Sequence, residues 1–180
     1  MTSRVVPACD ARSPQIVHQR RQRRAKITAP SMQLWLDTES NEFAGPLISM
    51  ALVDEKGRHW YQVLPCTEPT RWIRTHVMPV LGKRPTDLRS MQRSLSRWVG
   101  AYESIHVIAS WPSDFIHLCD LVILGPGVRL ELPPLTMELV QDLVVESALA
   151  HNALEDAKAL RRAYLARSAS CRRRGRPCWT

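Results

Sequence analysis

Apolar and polar side chains alternate in the first apolar segment of the chain. Leu34 and Leu36 fall on one side of this segment, and Trp35 and Asp37 fall on the other. This separation is expected of a β-strand, because successive side chains point to opposite faces. Other short runs, rich in β-branched and aromatic residues and bounded by turn residues, have the same character. The predicted strands are Gln33–Thr38, Leu47–Val53, His59–Leu64, Ile105–Ser110 and Arg129–Leu132.

Longer segments repeat their apolar residues every three or four positions, which is the period of a helix packed against a core. The clearest of them begins at Leu88. Pro79 limits another to a short helix with a loop, because proline disrupts a helix interior. Two segments begin with a capping residue, Ser113 after Pro112 and Thr136. The predicted helices are Trp72–Leu81, Leu88–Tyr102, Asp114–Leu124, Thr136–Ser147 and Asn152–Arg167.

The order of these elements predicts the fold class. Three strands in succession, the second and third joined by the glycine-containing turn Asp54–Gly57, form an antiparallel meander. The apolar run Ile105–Ser110 is typical of a buried parallel strand. We therefore predict an α/β fold with a mixed central sheet and helices on both faces. A chain of 180 residues fits one such domain, over residues 32–167, between a basic extension, 1–31, and a basic tail, 168–180.

Charge is divided unevenly along the chain. Residues 1–31 carry seven Lys/Arg and one Asp, a net charge of +6, and residues 161–180 carry seven Arg and no acid, a net charge of +7. The centre, residues 32–160, has a net charge of −5. An acidic centre suits a carboxylate metal site, and basic ends attract polyanions such as nucleic acids. The alternative is that the ends are solubilising tails; we expect residues 1–31 to be disordered.

The cysteines indicate a reducing compartment. The five of them are scattered, and none forms a Cys-x-x-Cys pair. Residues 1–29 are polar and arginine-rich, unlike the apolar region of a signal peptide. No apolar run in the sequence reaches the length of a membrane span. We therefore expect a cytoplasmic protein without a membrane partner.

Two acidic residues stand out on the first predicted strand. Asp37 and Glu39 are two positions apart, so their side chains share one face with Cα atoms about 7 Å apart. Aspartate is depleted in strands, and two neighbouring carboxylates repel each other unless a cation neutralises them. Oxygen ligands of this kind suit hard divalent cations. The alternative is that both acids are solvated where the strand enters a loop.

Three further residues are candidates for the same site. Asp114 follows the predicted strand Ile105–Ser110, with Asp120 as a rival and a first-turn helical acid as the alternative role. On one continuous helix His151 and Asp156 would lie about 140° apart and would not share a face. If His151 lies instead in the loop before the helix, its ring can turn back toward Asp156. A histidine there can take a proton near neutral pH; the alternative is a histidine near the helix cap.

Taken in order, these residues resemble a known group of enzymes. Asp-x-Glu on the first strand, an Asp after a later strand and a His-x4-Asp sequence are similar to the DEDDh 3′–5′ exonucleases, which have a ribonuclease H-like fold. Within that group the chain most resembles the 3′–5′ exoribonuclease family described from mycobacteria and its phage and bacterial relatives. The segments that carry this likeness are LWLDTESNEFAGPLISMALVDEKGRHWYQVLP, WIRTHVMPVL, ASWPSDFIHLCDLVILGP and HNALEDA, within about residues 33–165.

The resemblance implies a metal-dependent exonuclease. It would hydrolyse phosphodiesters from the 3′ end of RNA, or of single-stranded DNA, and release nucleoside 5′-monophosphates. Two Mg²⁺ or Mn²⁺ ions would be held by Asp37, Glu39, Asp114 and Asp156. His151 would act as the general base. A homodimer is also implied by the resemblance alone.

Four neighbours of these acids are candidates for contact with the substrate. Thr38 and Ser40 flank the acidic pair, although many related enzymes have a bulkier residue than Ser40 after Asp-x-Glu. Trp111 and Phe115 could stack on terminal bases, with core packing as the alternative. The choice between RNA and DNA stays open, because no residue identifies a contact with a 2′-hydroxyl group. The competing function is a non-catalytic nucleic-acid-binding protein that uses its arginine-rich ends.

Overall fold

The structure, a computed structural model, describes residues 31–173. The predicted extension falls outside the described residues except for Ser31, and so do residues 174–180 of the predicted tail. The strands are β1 (Met32–Ser40), β2 (Leu47–Asp54), β3 (His59–Val63), β4 (Ile105–Ala109), β5 (Ile123–Gly125), β6 (Val128–Arg129) and β7 (Leu135–Leu139). The helices are α1 (Arg71–His76), α2 (Leu88–Val99), α3 (Pro112–Val122) and α4 (Ala153–Arg173), with a 3₁₀ turn at Met78–Val80.

The main sheet is mixed, as the element order predicts. Its five strands lie in the order β3-β2-β1-β4-β7. The meander β1-β2-β3 is antiparallel, whereas β4 pairs parallel with both β1 and β7. The short strands β5 and β6 form a separate antiparallel pair. This architecture confirms the predicted fold class and is consistent with a ribonuclease H-like fold.

Helices cover both faces of the sheet, because the side chains of β1 alternate as predicted. On one face, Leu34 and Leu36 belong to a buried cluster that includes residues of α2 and α3. On the opposite face, Trp35 packs with Leu160 and Tyr164 of α4, and the rings of Trp35 and Tyr164 meet edge to face at 5.7 Å. Asp37 and Glu39 have the parity of Trp35 and therefore belong to the face that α4 covers.

One predicted helix is wrong. Thr136–Ser147 was expected to be helical with Thr136 as its cap, but β7 occupies Leu135–Leu139 and irregular chain follows it. The backbone of this segment instead pairs with β4, and the Thr136 hydroxyl lies 2.7 Å from Nδ1 of its cross-strand partner His106. The apolar spacing fits a helix, but the open edge of the sheet provides backbone partners that local periodicity does not reveal.

Several elements also begin or end at residues other than the predicted ones. α2 ends at Val99 instead of Tyr102, and α3 ends at Val122 instead of Leu124, because the following residues form β5. The predicted strand Arg129–Leu132 is β6, which contains only Val128 and Arg129.

Helix starts and ends show the same kind of difference. The N-cap of α3 is Trp111, without a side-chain capping bond, so Ser113 lies inside the helix and Pro112 occupies its first turn. The last helix continues past Arg167 to Arg173. Within residues 31–173, none of the helices has the length and apolar character needed to cross a membrane.

A buried carboxylate fixes the turn between β2 and β3. Asp54 accepts hydrogen bonds from the backbone N–H groups of Lys56 and Arg58, from Nε of Arg58 at 2.6 Å and from the hydroxyl of Tyr102 at 3.1 Å. Burial alone would raise the pKa of Asp54, but the hydrogen bonds from Arg58 and Tyr102 outweigh it and hold the pKa below its usual range. Arg161 of α4 donates from Nε to the Asp54 carbonyl at 3.0 Å, so the turn also anchors α4.

We expect Asp54→Ala to lower the free energy of unfolding by about 2–3 kcal/mol, because it leaves several donors without an acceptor. Urea denaturation followed by circular dichroism measures this change. Lys56→Ala is the matched control in the same turn, since the exposed lysine contributes only its backbone N–H, and it should change stability by less than about 0.5 kcal/mol. Equal stabilities for the two variants would contradict the role of Asp54.

Candidate active site

The acidic pair lies toward the carboxyl end of the central strand. Asp37 and Glu39 are both partly buried on β1. β1 pairs with β2 from Leu34 to Ser40 and with β4 from Met32 to Trp35. A register shift between Glu39 and Ser40 marks the point where the strand leaves regular pairing. The strand therefore fixes the backbone of both acids while leaving their side chains at the end of the sheet.

Asp156 of α4 completes a group of three carboxylates. One oxygen from each of Asp37, Glu39 and Asp156 lies within 4.8 Å of the others. Oxygen atoms this close can share a cation, and carboxylates are the ligands that Mg²⁺ and Mn²⁺ prefer. The three residues could therefore hold a divalent cation, as the sequence predicts for them.

The structure places Asp114 beside this group but not within it. Asp114 lies in the first turn of α3 and is only 3% exposed. Its Oδ1 accepts a hydrogen bond of 2.7 Å from the hydroxyl of Thr38. Its Oδ2 is buried and has no hydrogen-bond partner among residues 31–173. A buried carboxylate oxygen without a partner is costly, and a cation would satisfy it. The rival Asp120 is exposed on the same helix.

The pKa values of three of these acids are raised. Burial, followed by the charges of Asp114, Asp156 and Glu39, raises the pKa of Asp37 well above its usual range. Burial and the charges of Asp156 and Asp114 raise the pKa of Glu39 to about 7. Burial raises the pKa of Asp114 to about 6, although hydrogen bonds from Thr38 and the Trp111 backbone oppose the shift. Without a cation, the site therefore holds protons near neutral pH.

Asp156 also connects the carboxylates to His151. Burial raises the pKa of Asp156, while hydrogen bonds from the Ser147 side chain and the His151 backbone oppose this effect. The second bond is 3.0 Å long, from the backbone N–H of His151 to Oδ2 of Asp156. His151 lies in the turn before α4, which is one of the two positions that its spacing from Asp156 left open, and its φ of 66° is left-handed. The side chain of Asn152 caps the helix by accepting from the N–H groups of Leu154 and Glu155, both at 3.1 Å.

Sequence reasoning did not identify the aromatic neighbours of His151. The ring of Trp72 meets the His151 imidazole edge to face, with centroids 4.8 Å apart. His76 stacks on Trp72 at 4.6 Å, and its ring centroid lies 6.3 Å from that of His151. The spacing of Trp72 and His76, four residues on one helix, indicates that they can touch. No local signal connects them to a histidine so much later in the chain.

The four candidate substrate residues have different surroundings. Thr38 donates to Asp114, and Ser40 donates to the backbone carbonyl of Glu42 at 2.9 Å. Phe115 is partly buried and packs against the core on the α2–α3 side, so its surroundings match the core-packing alternative. Trp111 is 67% exposed, so its surroundings leave the base-stacking role open.

The raised pKa of Glu39 has a consequence for stability in metal-free solution. An unfolded glutamate has a pKa of about 4.3, so the folded protein binds this proton more tightly. The contribution of Glu39 to stability is therefore full below about pH 4 and is lost as the pH rises through about 7. Glutamine does not titrate, so Glu39→Gln should gain about 1–3 kcal/mol of unfolding free energy relative to wild type between pH 4.5 and pH 8.

Urea denaturation in the presence of EDTA measures this difference at both pH values. Glu68→Gln is the control, because Glu68 is an exposed glutamate outside the site. Its stability should follow that of wild type at both pH values. If Glu39→Gln followed wild type in the same way, the pKa of Glu39 would not be raised as described above.

Comparison with known proteins agrees with the chemistry of this site. No family model matches the chain. Two curated proteins from different strains of Mycobacterium tuberculosis, both named 3′–5′ exoribonuclease, are each 33% identical to it. The alignment covers 44% of this chain and 61% of each relative, so the chain spans less than two thirds of the length of the proteins it matches. The chain is therefore similar, over part of its length, to proteins named as nucleases.

Proposed function

We propose that the protein is a metal-dependent 3′–5′ exoribonuclease. The observation that carries this proposal is the convergence of Asp37, Glu39 and Asp156 within 4.8 Å, beside the buried Asp114 and next to His151. These residues occur in the order that the DEDDh exonucleases have. The two mycobacterial relatives, named for this activity, support the same reaction.

The donor set fits divalent cations. Asp37, Glu39 and Asp156 offer carboxylate oxygens to a common point, and Oδ2 of Asp114, which has no hydrogen-bond partner in the described part of the chain, could bind a second ion. Magnesium or manganese bound there would neutralise the carboxylates, polarise the scissile phosphate and lower the pKa of the attacking water. The acidic residues by themselves would repel a phosphodiester, so the proposed activity requires the cations.

His151 is the proposed general base. The His151 backbone N–H donates to Oδ2 of Asp156, and this bond keeps the residue next to the carboxylate group. A neutral imidazole accepts a proton from the attacking water. Water attacks the terminal phosphorus, the bond to the 3′-oxygen of the preceding nucleotide breaks, and a nucleoside 5′-monophosphate leaves. The 3′-oxygen that leaves takes up a proton from solvent, so the shortened strand ends in a 3′-hydroxyl group and is a substrate for the next cycle.

Thr38 and Trp111 are proposed to position Asp114 and to contact the substrate, respectively. Thr38 holds Asp114 in place through the bond to Oδ1. Trp111 is the proposed stacking surface for a base of a single strand, because its ring is largely exposed. RNA is the proposed substrate on the strength of the relatives' names, and single-stranded DNA is the comparison that the experiment below includes.

Directional hydrolysis tests the proposal. A 5′-labelled single-stranded RNA incubated with Mg²⁺ or Mn²⁺ should give a ladder of shortened products, and EDTA should stop the reaction. Asp37→Asn should lower the rate by at least about 10³-fold, because it removes a charged ligand at the centre of the group. His151→Ala should lower kcat by about 10²- to 10⁴-fold while calorimetric affinity for Mn²⁺ is retained.

Asp120→Asn is the matched control, since it removes an exposed aspartate from the helix that carries Asp114. Its rate should equal that of wild type. Wild-type rates in purified Asp37→Asn would contradict the site. Salt-sensitive binding of RNA without turnover in either metal would favour the non-catalytic nucleic-acid-binding alternative.

A further inference from the structure

The orientation of the His151 ring depends on residues far from it in the sequence. The bond to Asp156 and the left-handed φ of 66° fix the His151 backbone, but they leave the imidazole free to rotate about its side-chain bonds. Trp72 supplies the ring contact, with centroids 4.8 Å apart and planes 81° apart. Edge-to-face contacts of this kind are favourable because the positive edge of one ring meets the negative face of the other.

We propose that Trp72, held by His76, is a positioning residue for the imidazole of His151. The inference rests on the proposed function, since it concerns the general base of that reaction. Trp72 is 49% exposed. Its ring therefore stays at the surface in contact with two histidines instead of joining the core.

His76 restricts the ring of Trp72. The two rings are nearly parallel, 20° apart, with centroids at 4.6 Å. Nδ1 of His76 lies 2.9 Å from the backbone carbonyl of Trp72. A carbonyl oxygen only accepts hydrogen bonds, so Nδ1 carries the proton and the imidazole is held in one orientation. His76 thus limits the rotamers of Trp72, and Trp72 in turn limits those of His151.

The helix that carries Trp72 is attached to the His151 turn. Ile73 is buried in the core on the α4 side of the sheet, and Thr70 caps the helix by accepting from the Ile73 N–H group. Asn152, next to His151, donates from Nδ2 to the carbonyl of Val80 at 2.6 Å, just after α1. Because of these links, the distance between Trp72 and His151 is set by the fold and does not depend on the exposed rings alone.

A positioning role for Trp72 predicts specific changes in kcat and KM. Small errors in the position of a catalytic group can cost up to about 10²-fold in rate. We expect Trp72→Ala to lower kcat by about 10- to 100-fold, with KM and Mn²⁺ affinity changed by less than about twofold. Trp72→Phe keeps an aromatic ring and should recover most of the rate. Thr75→Ala, an exposed position on the same helix, is the control and should retain wild-type kinetics.

A double-mutant cycle tests whether Trp72 acts through His151. If it does, Trp72→Ala should cost little in a His151→Ala background, because there is no imidazole left to position. Multiplicative losses in the double variant would overturn the inference, as would an unchanged kcat in Trp72→Ala. A rise in KM without a fall in kcat would also overturn it and would indicate that Trp72 binds substrate.

Proton NMR of the metal-free protein provides a readout that does not require activity. The ring protons of His151 should show a ring-current shift from Trp72 that disappears in Trp72→Ala and persists in Thr75→Ala. If Trp72→Ala fails to fold, His76→Ala takes its place, because freeing the Trp72 ring should weaken the shift and lower kcat. Absence of the ring-current shift would overturn the contact itself, whereas inactive wild-type protein with an intact shift would overturn the proposed function alone.

Discussion

The mutual repulsion of buried carboxylates at the end of β1 is the constraint on which the rest of the structure depends. Burial and neighbouring charges raise the pKa values of Asp37 and Glu39, and burial raises those of Asp114 and Asp156. Such a group is unfavourable unless protons or cations neutralise it. The fold brings these carboxylates together where β1, α3 and the turn before α4 meet. A function that requires bound cations would explain why the protein has such an unfavourable group of charges.

Rigid elements keep the repelling groups together. β1 lies in the middle of the sheet, with helices on both faces, so the core holds the backbone that carries Asp37 and Glu39. Asp114 is held by Thr38 of the same strand. Asp156 is held by the His151 N–H group and by the capped start of α4. Each acid therefore has a local hydrogen bond or a strand backbone that opposes the repulsion.

Local patterns in the sequence predict much of this arrangement. The alternation around Leu34, Trp35 and Asp37 gives both the strand and the shared face of its acids, because the period of a strand is two residues. The five-residue spacing of His151 and Asp156 excludes a common helix face, so the two could meet only with His151 in the preceding turn, where the structure has it. The meander and the parallel strand follow from the lengths and composition of the apolar runs.

Contacts between distant segments could not be predicted in the same way. The apolar spacing after Thr136 fits a helix, and only the edge of β4 makes the segment a strand. The bond between Thr38 and Asp114 spans 76 positions, and the contact between Trp72 and His151 has no local signature at all. These features depend on tertiary packing, which selects among conformations that the local sequence allows equally.

Proton release on cation binding tests the central claim most directly. Because Glu39 has a pKa of about 7 and Asp114 a pKa of about 6, the metal-free site holds protons that a cation must displace. Calorimetric titration with Mn²⁺ at pH 6.5, in buffers of different ionisation enthalpy, counts them. The account predicts release of about one proton or more at pH 6.5 and clearly less at pH 8.5. Absence of Mn²⁺ binding, or binding without proton release at either pH, would contradict it.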